Sequence, residues 1–275
     1  NLIICVKIKL QRKRSDSVKV WTLMENTACR EDLCCEHGLS LYIETENHRI
    51  LFDAGQSAAF ADNAEKLDVD LQKVDFVVLS HGHYDHGGGL KTFLELNDHA
   101  PIYMSRYAFE SHWNGTEKYI GLDTTLEPND RFVFTDGTLV LDDELTLFGP
   151  AGRERVADLD TGGLLVKEAG QFLPEDFRHE HYLLITEGEK RVLISGCSHQ
   201  GIRNIVEWFR PDVLIGGFHY MKQPLDDALV AKAKALDACD TTYYTCHCTG
   251  ADQFAFIRPH MSRAHYLSCG ETIEI

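Results

Sequence analysis

His81, His83, Asp85 and His86 place three imidazoles and a carboxylate within six residues of chain. Clusters of His and Asp mark metal or catalytic centres more often than they mark a polar surface loop. His81 and His83 stand two apart, so on an extended loop both rings turn to one side. Asp85 and His86 are adjacent and point different ways, which suits a second centre. Imidazole and carboxylate together favour zinc, iron or manganese over calcium or magnesium.

The flanking residues predict how this loop is held. Residues 76–79 are an apolar run of the kind a buried strand shows. The triplet Gly87, Gly88 and Gly89 follows, and residues 90–96 predict a helix. Strand, ligand-rich loop and helix is how an α/β sheet presents a site at the carboxyl end of a strand. The second half repeats the pattern. A hairpin over 182–186 and 191–195 leads into Gly196-Cys-Ser-His199, a strand over 212–215 into Gly216-Gly-Phe-His219, and a strand over 241–245 into Cys246-His-Cys-Thr-Gly250. Earlier, a strand over 18–24 and a hairpin over 39–45 and 49–52 precede a helix over 57–67. Between 105 and 179 the periodicity is weak, with strands predicted only at 131–135 and 138–148.

His81-Gly-His83-Tyr-Asp85-His86 resembles the signature of the metallo-β-lactamase fold superfamily. Phe52-Asp53-Ala-Gly55 resembles that superfamily's early Asp-x-Gly turn. With Glu36-His-Gly-Leu-Ser40 and the three later motifs, the chain is similar to one branch over roughly residues 18–275. That branch is labelled 7,8-dihydropterin-6-methyl-4-(β-D-ribofuranosyl)aminobenzene-5′-phosphate synthase-like. The resemblance implies an α/β protein, an αββα sandwich of two mixed sheets flanked by helices. It implies a first metal centre of His81, His83 and His199 and a second of Asp85, His86 and His247. His181, ahead of the hairpin, rivals His199. In the resembling family the Asp of the Asp-x-Gly turn orients a metal ligand, a role Asp53 fits as well as that of a turn aspartate. Many members carry a bridging Asp where Cys197 stands. A thiolate binds zinc, but the bridging carboxylate of a tightly coupled pair is missing.

Composition narrows the partners. A net charge of −16 over 275 residues argues against a nucleic-acid or anionic-membrane partner. Nine cysteines, an odd number, point to free thiols in a reducing cytoplasm. No apolar run approaches a membrane span, and the apolar residues 2–6 are too short for a signal peptide. Residues 1–17, with Lys7, Lys9, Arg12, Lys13 and Arg14, read as a basic solvated arm rather than an extra strand, ahead of an expected single domain over 18–275.

The expected function is metal-dependent hydrolysis through a metal-activated water. One or two divalent transition-metal ions are expected, zinc first, with iron or manganese as alternatives. Asp85 orients the nucleophile, and His219 lines the pocket as a general acid or oxyanion donor. The expected substrate is a small anionic or phosphorylated molecule. Trp113, Tyr119 and Phe218 are candidates to stack on it, and Arg106, Arg153 and Arg155 are weaker candidates to pair with its charge than to sit on the surface. His37 reads as a structural histidine beside the pocket. Two rival readings stand. One is a synthase or lyase on a pterin-like or ribosyl-phosphate substrate, as the branch label implies. The other is an iron redox protein, ranked last because oxidoreductase relatives place an acidic residue where Gly82 or Tyr84 stands and carry a flavin domain.

Overall fold

The computed structural model describes residues 17–275, so the expected basic arm falls outside the described residues apart from Ser17. Side chains alternate between faces along a strand, and here both faces are buried. Ile50, Phe52, Phe76 and Val78 turn to one side, and Leu51, Val77 and Leu79 to the other. That is why 49–52 and 76–79 read as continuous apolar runs rather than alternating ones.

Two seven-stranded sheets result. The first runs in the order Thr272–Glu274, Lys19–Met24, Ser40–Glu44, Arg49–Phe52, Phe76–Val78, Ile102–Ser105, Phe132–Thr135. The second runs Ala264–Tyr266, Thr242–Thr245, Val213–Ile215, Lys190–Ile194, Tyr182–Glu187, Leu145–Phe148, Thr138–Val140. Each sheet is antiparallel in one half and parallel in the other. The parallel halves carry the ligand-rich loops at their carboxyl ends.

The sheets pack face to face. Phe52, Ile50 and Val78 of the first meet Leu183, Ile185, Val192, Ile194 and Ile215 of the second. Phe52 is fully buried there, and truncating it to alanine would cost about 3–5 kcal/mol. Helices Ala59–Lys66 and Leu90–Leu96 cover the outer face of the first sheet through Phe60, Ala64, Leu90 and Phe93. Helices Ile202–Phe209, Asp227–Asp237 and Ala251–Ile257 cover the second through Ile205, Phe209, Leu229, Leu236 and Ile257. The architecture is the αββα sandwich of mixed sheets that the sequence implies.

The middle of the chain differs from expectation. The single strand predicted at 138–148 is two strands, Thr138–Val140 and Leu145–Phe148, paired antiparallel. Asp142 breaks it by accepting the Glu144 and Leu145 amides at 2.9 and 2.8 Å, an Asx turn. A third, four-stranded sheet went unpredicted: Gln171–Pro174, Leu164–Glu168, His112–Asn114 and Lys118–Tyr119. Its strands are short and mostly half-exposed, with no apolar run longer than Leu164 to Val166. This sheet meets the site loop where Tyr84 N–H donates to the Ile120 carbonyl at 2.9 Å.

Candidate metal centre

The loops after Phe76–Val78, Lys190–Ile194, Val213–Ile215 and Thr242–Thr245 converge at one edge of the sandwich. His81, His83, His86, Asp85, Cys197, His199 and His247 meet there, each at most 8% exposed. Positive φ recurs at non-glycine residues around them: Asp53 (60°), Ser198 (60°), His219 (57°) and His247 (48°). Such backbone is costly and collects at functional sites. Gly196 turns with φ 57°, and a Cβ there would stand 2.5 Å from Ser80 Oγ.

Hydrogen bonds fix which ring nitrogens face inward. Asp53 Oδ2 lies 2.6 Å from His86 Nδ1 and accepts the Ser80 hydroxyl at 2.7 Å. Ser80 Oγ in turn accepts from His81 Nδ1 at 2.9 Å. Asp53 Oδ1 accepts the Ser80 amide at 2.7 Å. His247 Nδ1 donates to Asn26 Oδ1 at 2.8 Å. Each Nδ1 therefore carries a proton, and in the neutral ring the lone pair of His81, His86 or His247 is on the inward-facing Nε2.

Those nitrogens point at one another. His81 Nε2 is 3.3 Å from His199 Nε2. His86 Nε2 is 3.2 Å from both His247 Nε2 and Cys197 Sγ. Asp85 Oδ2 is 3.3 Å from His247 Nε2 and 3.9 Å from His86 Nε2. Donor atoms of His81, His83 and His199 lie within 4.8 Å of one another, as do those of His81, His86 and Cys197, and those of His37, Asp85 and His247. The six residues expected as ligands are thus brought together, with Cys197 between the two expected sets.

Burial is the largest influence on the rings and holds His81, His83 and His199 well below the usual histidine range, with neighbouring histidines adding to it. It lowers His247 to about 4. For Asp85, burial opposes ionisation, yet His86 and the contacts from His247 and His37 outweigh it and keep the carboxyl well below its ordinary range. His86 is pulled the other way: burial depresses it, but Asp53 and Asp85 raise it overall. Burial, with Cys248 alongside, pushes the Cys197 thiol well up. The His81, His83, His199 and His247 rings, held neutral by burial beside an ionised carboxylate, are in the states a metal requires, while His86 and Cys197 would each give up a proton to bind one. The convergence of these imidazole nitrogens with Asp85 and Cys197 fits a divalent cation.

The centre floors a cavity of 420 Å³ lined by Tyr84, Asn114, Lys118, Asp160, His219, Met221 and Lys222 among others. His219 packs against His199, with ring centroids 4.4 Å apart. His37 is not the structural histidine the sequence suggested. Its side chain is 46% exposed, and its Nε2 reaches Asp85 Oδ2 at 3.3 Å. The Glu36-His-Gly stretch carries it there because Glu36 is tied to Gln56 and Ser57.

Other candidates lie elsewhere. His181 belongs to none of the convergent groups. Its amide is bound to the Ser80 carbonyl and its Nε2 to Thr135, so it faces a separate cavity with Arg153 and Arg155. Arg106 sits 3.6 Å from Asp136, and Arg153 stacks on Phe148 and Phe209. Trp113 packs on Tyr119 and Phe172 and Phe218 is 2% exposed in the core, so none of these three aromatics lines the cavity. Tyr84 does. Buried His112, Glu175 and His179 adjoin His83; their signal in the sequence was only a scatter of polar residues in a stretch with weak periodicity.

Residues 35–239 match the family model of the metallo-beta-lactamase superfamily. The Methanocaldococcus jannaschii protein MJ0448 is 30% identical over 83% of this chain and 89% of its own. From the same organism, 7,8-dihydropterin-6-methyl-4-(beta-D-ribofuranosyl)-aminobenzene-5'-phosphate synthase is 28% identical over 86% of this chain and 88% of its own. The crystal structure of Tm1679, a metal-dependent hydrolase of the beta-lactamase superfamily, superposes with a TM-score of 0.78 at 29% identity, covering 94% of this chain and 99% of that one.

Proposed function

The chain belongs to the metallo-beta-lactamase superfamily, and from that premise we propose that it is a metal-dependent hydrolase of a small anionic or phosphorylated molecule. His-rich sites in this fold indicate divalent-metal binding. The observation that carries the reading is the convergence of the Nε2 atoms of His81, His86 and His247 with Asp85 and Cys197. His81, His83 and His199 would hold the first ion, and Asp85, His86 and His247 the second. Cys197 stands within reach of both sets. Imidazole, carboxylate and thiolate together suit zinc best.

A divalent ion bound there would supply Lewis acidity and lower the pKa of a water toward neutrality. The chain's own residues do the rest. Asp85, kept ionised, accepts a hydrogen bond from the attacking water and orients it. His219, kept neutral mainly by burial, presents a ring N–H to the charge that develops on the leaving atom. Lys118 and Lys222 at the cavity wall attract the substrate's anionic group, in a protein whose overall net charge is −16. That overall charge supports a small substrate over a nucleic acid. No helix among the described residues is long and apolar enough to cross a membrane. The eight described cysteines are all free, which supports a reducing cytoplasm.

A second reading follows from the synthase name of the M. jannaschii relative: the same centre serves condensation or lysis at a pterin-like or ribosyl-phosphate substrate. Metal-dependent turnover of phosphomonoesters, phosphodiesters, lactones and pterin conjugates separates the two. Hydrolysis of one small class, with RNA and single-stranded DNA untouched, supports the first. No hydrolysis, with condensation only of a dihydropterin bearing a leaving group on its 6-methyl carbon with a ribosyl-phosphate-bearing arylamine, transfers the case to the second.

A further inference from the structure

One buried cluster beside the centre has no part in the ligand sets. His112 and His179 are fully buried and Glu175 is 2% exposed. Their ligand-type atoms and one of His83 lie within 4.8 Å of one another. Three histidines and a carboxylate suggest another metal, but the protons argue otherwise.

Gly82 N–H donates to His179 Nδ1 at 2.9 Å. Nδ1 is therefore unprotonated, and the neutral ring carries its proton on Nε2, where it blocks a metal. That Nε2 is buried and faces Glu175 Oε1 at 3.9 Å. His112 Nε2 lies 3.3 Å from the Tyr107 carbonyl and must donate to it. Its Nδ1 then stands 2.7 Å from Glu175 Oε2, which is repulsive unless a proton sits between them. A separation of 2.7 Å matches a charge-assisted N–H···O bond. Two ligands about 2.1 Å from a tetrahedral ion would stand about 3.4 Å apart.

The cluster grips the ligand loop. The His179 bond falls on Gly82, between His81 and His83. On the other side a Cβ at Gly82 would stand 2.0 Å from the Ala108 carbonyl oxygen, so the loop is pinned from both sides. The His112 ring stacks on His179 at 4.0 Å and 16°, so the Glu175–His112 bond sets where His179 lies. His83, whose ring is 5.1 Å from His179, has a buried Nε2 with no hydrogen-bond partner. With no hydrogen bond at Nε2, its ring is held by packing, on His179 and His112 of this frame at 5.1 and 5.5 Å and on His81 and His199 at 4.5 and 5.0 Å.

We infer that His112, Glu175 and His179 are positioning residues, a proton-bridged frame rather than a metal site, which fixes the His81–His83 loop for the first ion. The inference rests on the metal-binding reading of His81, His83 and His199. Ligand-orienting partners of this kind are worth about 10–100-fold in metal affinity.

Cobalt(II)-loaded wild type, Glu175→Gln, His179→Ala and His179→Asn are compared by metal content, chelator competition and visible absorption, with far-ultraviolet circular dichroism to confirm folding. Glu175→Gln and His179→Ala should weaken the first centre about 10–100-fold and shift its cobalt bands. His179→Asn, whose amide oxygen still accepts the Gly82 N–H, should recover most of that affinity. If His179→Ala does not fold, Glu175→Gln against His179→Asn decides. Wild-type affinity and spectra in the folded Glu175→Gln protein overturn the inference. So does an additional cobalt equivalent in wild type that Glu175→Gln abolishes. A wild type that binds no cobalt sinks the metal reading and this inference with it, whereas a loaded wild type with insensitive variants sinks the inference alone.

Discussion

Replacing Asp53 by asparagine separates an orienting carboxylate from a turn residue. Asp53 Oδ2 is the shared acceptor for His86 Nδ1 at 2.6 Å and the Ser80 hydroxyl at 2.7 Å, and through Ser80 it also sets His81. One side chain thus fixes a ring in each proposed centre. Asparagine keeps the shape and tolerates the φ of 60°, so the turn survives. It loses the charge, and only one of its two side-chain atoms can accept. Either both Oδ2 donors or the Ser80 amide then lose their acceptor, at about 1–3 kcal/mol for each buried group. Losing the ligand-orienting contact should weaken metal binding about 10–100-fold, which is about 1.4–2.7 kcal/mol. Competition against a chromophoric chelator reads the affinity, and denaturant unfolding of the metal-free protein reads the stability. A folded Asp53→Asn protein that is destabilised yet keeps metal affinity within about twofold would refute the orienting role and leave a turn aspartate.

Four further outcomes are expected. His199→Ala should release the first-centre metal while His181→Ala retains it; reversed stoichiometries would mean that the hairpin ligand has been misassigned. Cys197→Ser should abolish the thiolate-to-cobalt charge-transfer absorption of the cobalt(II) protein, and an unchanged spectrum would remove Cys197 from the ligands. Lys222→Glu should raise KM for an anionic substrate several-fold with kcat nearly unchanged, the pattern of lost uniform binding; unchanged KM would show that the substrate anion is held elsewhere. Burial lowers the His181 pKa to about 4 from an unfolded value of about 6.5. Its contribution is therefore complete above about pH 6.5 and is lost as pH falls toward 4, because the unfolded chain takes the proton first. The metal-free His181→Asn protein should show a shallower loss of stability across that window, and an equal slope would contradict the assignment.

The sandwich was readable because its central strands are buried on both faces and announce themselves as apolar runs ending in glycine and ligand residues. His81, His83, Asp85 and His86 lie in one short stretch, so their grouping needed no tertiary information. His199 and His247 were readable through the repeated strand–glycine–ligand pattern. His37 was misjudged because its approach to Asp85 depends on Glu36 anchoring the Gln56–Ser57 turn, a contact across 20 residues that no local pattern encodes. His112, Glu175 and His179 come from a short-stranded sheet and the segment after it, where neither alternation nor helical spacing survives. The expectation that Trp113 and Phe218 face the pocket failed because aromatic identity says nothing of direction.

The central claim is that this cleft holds metal through both halves of the sandwich at once. Anomalous diffraction from crystals of the zinc-loaded protein, collected on either side of the zinc edge, tests it most directly. The account predicts a strong peak among His81, His83 and His199 and a second among Asp85, His86 and His247, with Cys197 between them. Fully loaded crystals with anomalous density only on surface histidines, and none in this cleft, would contradict it.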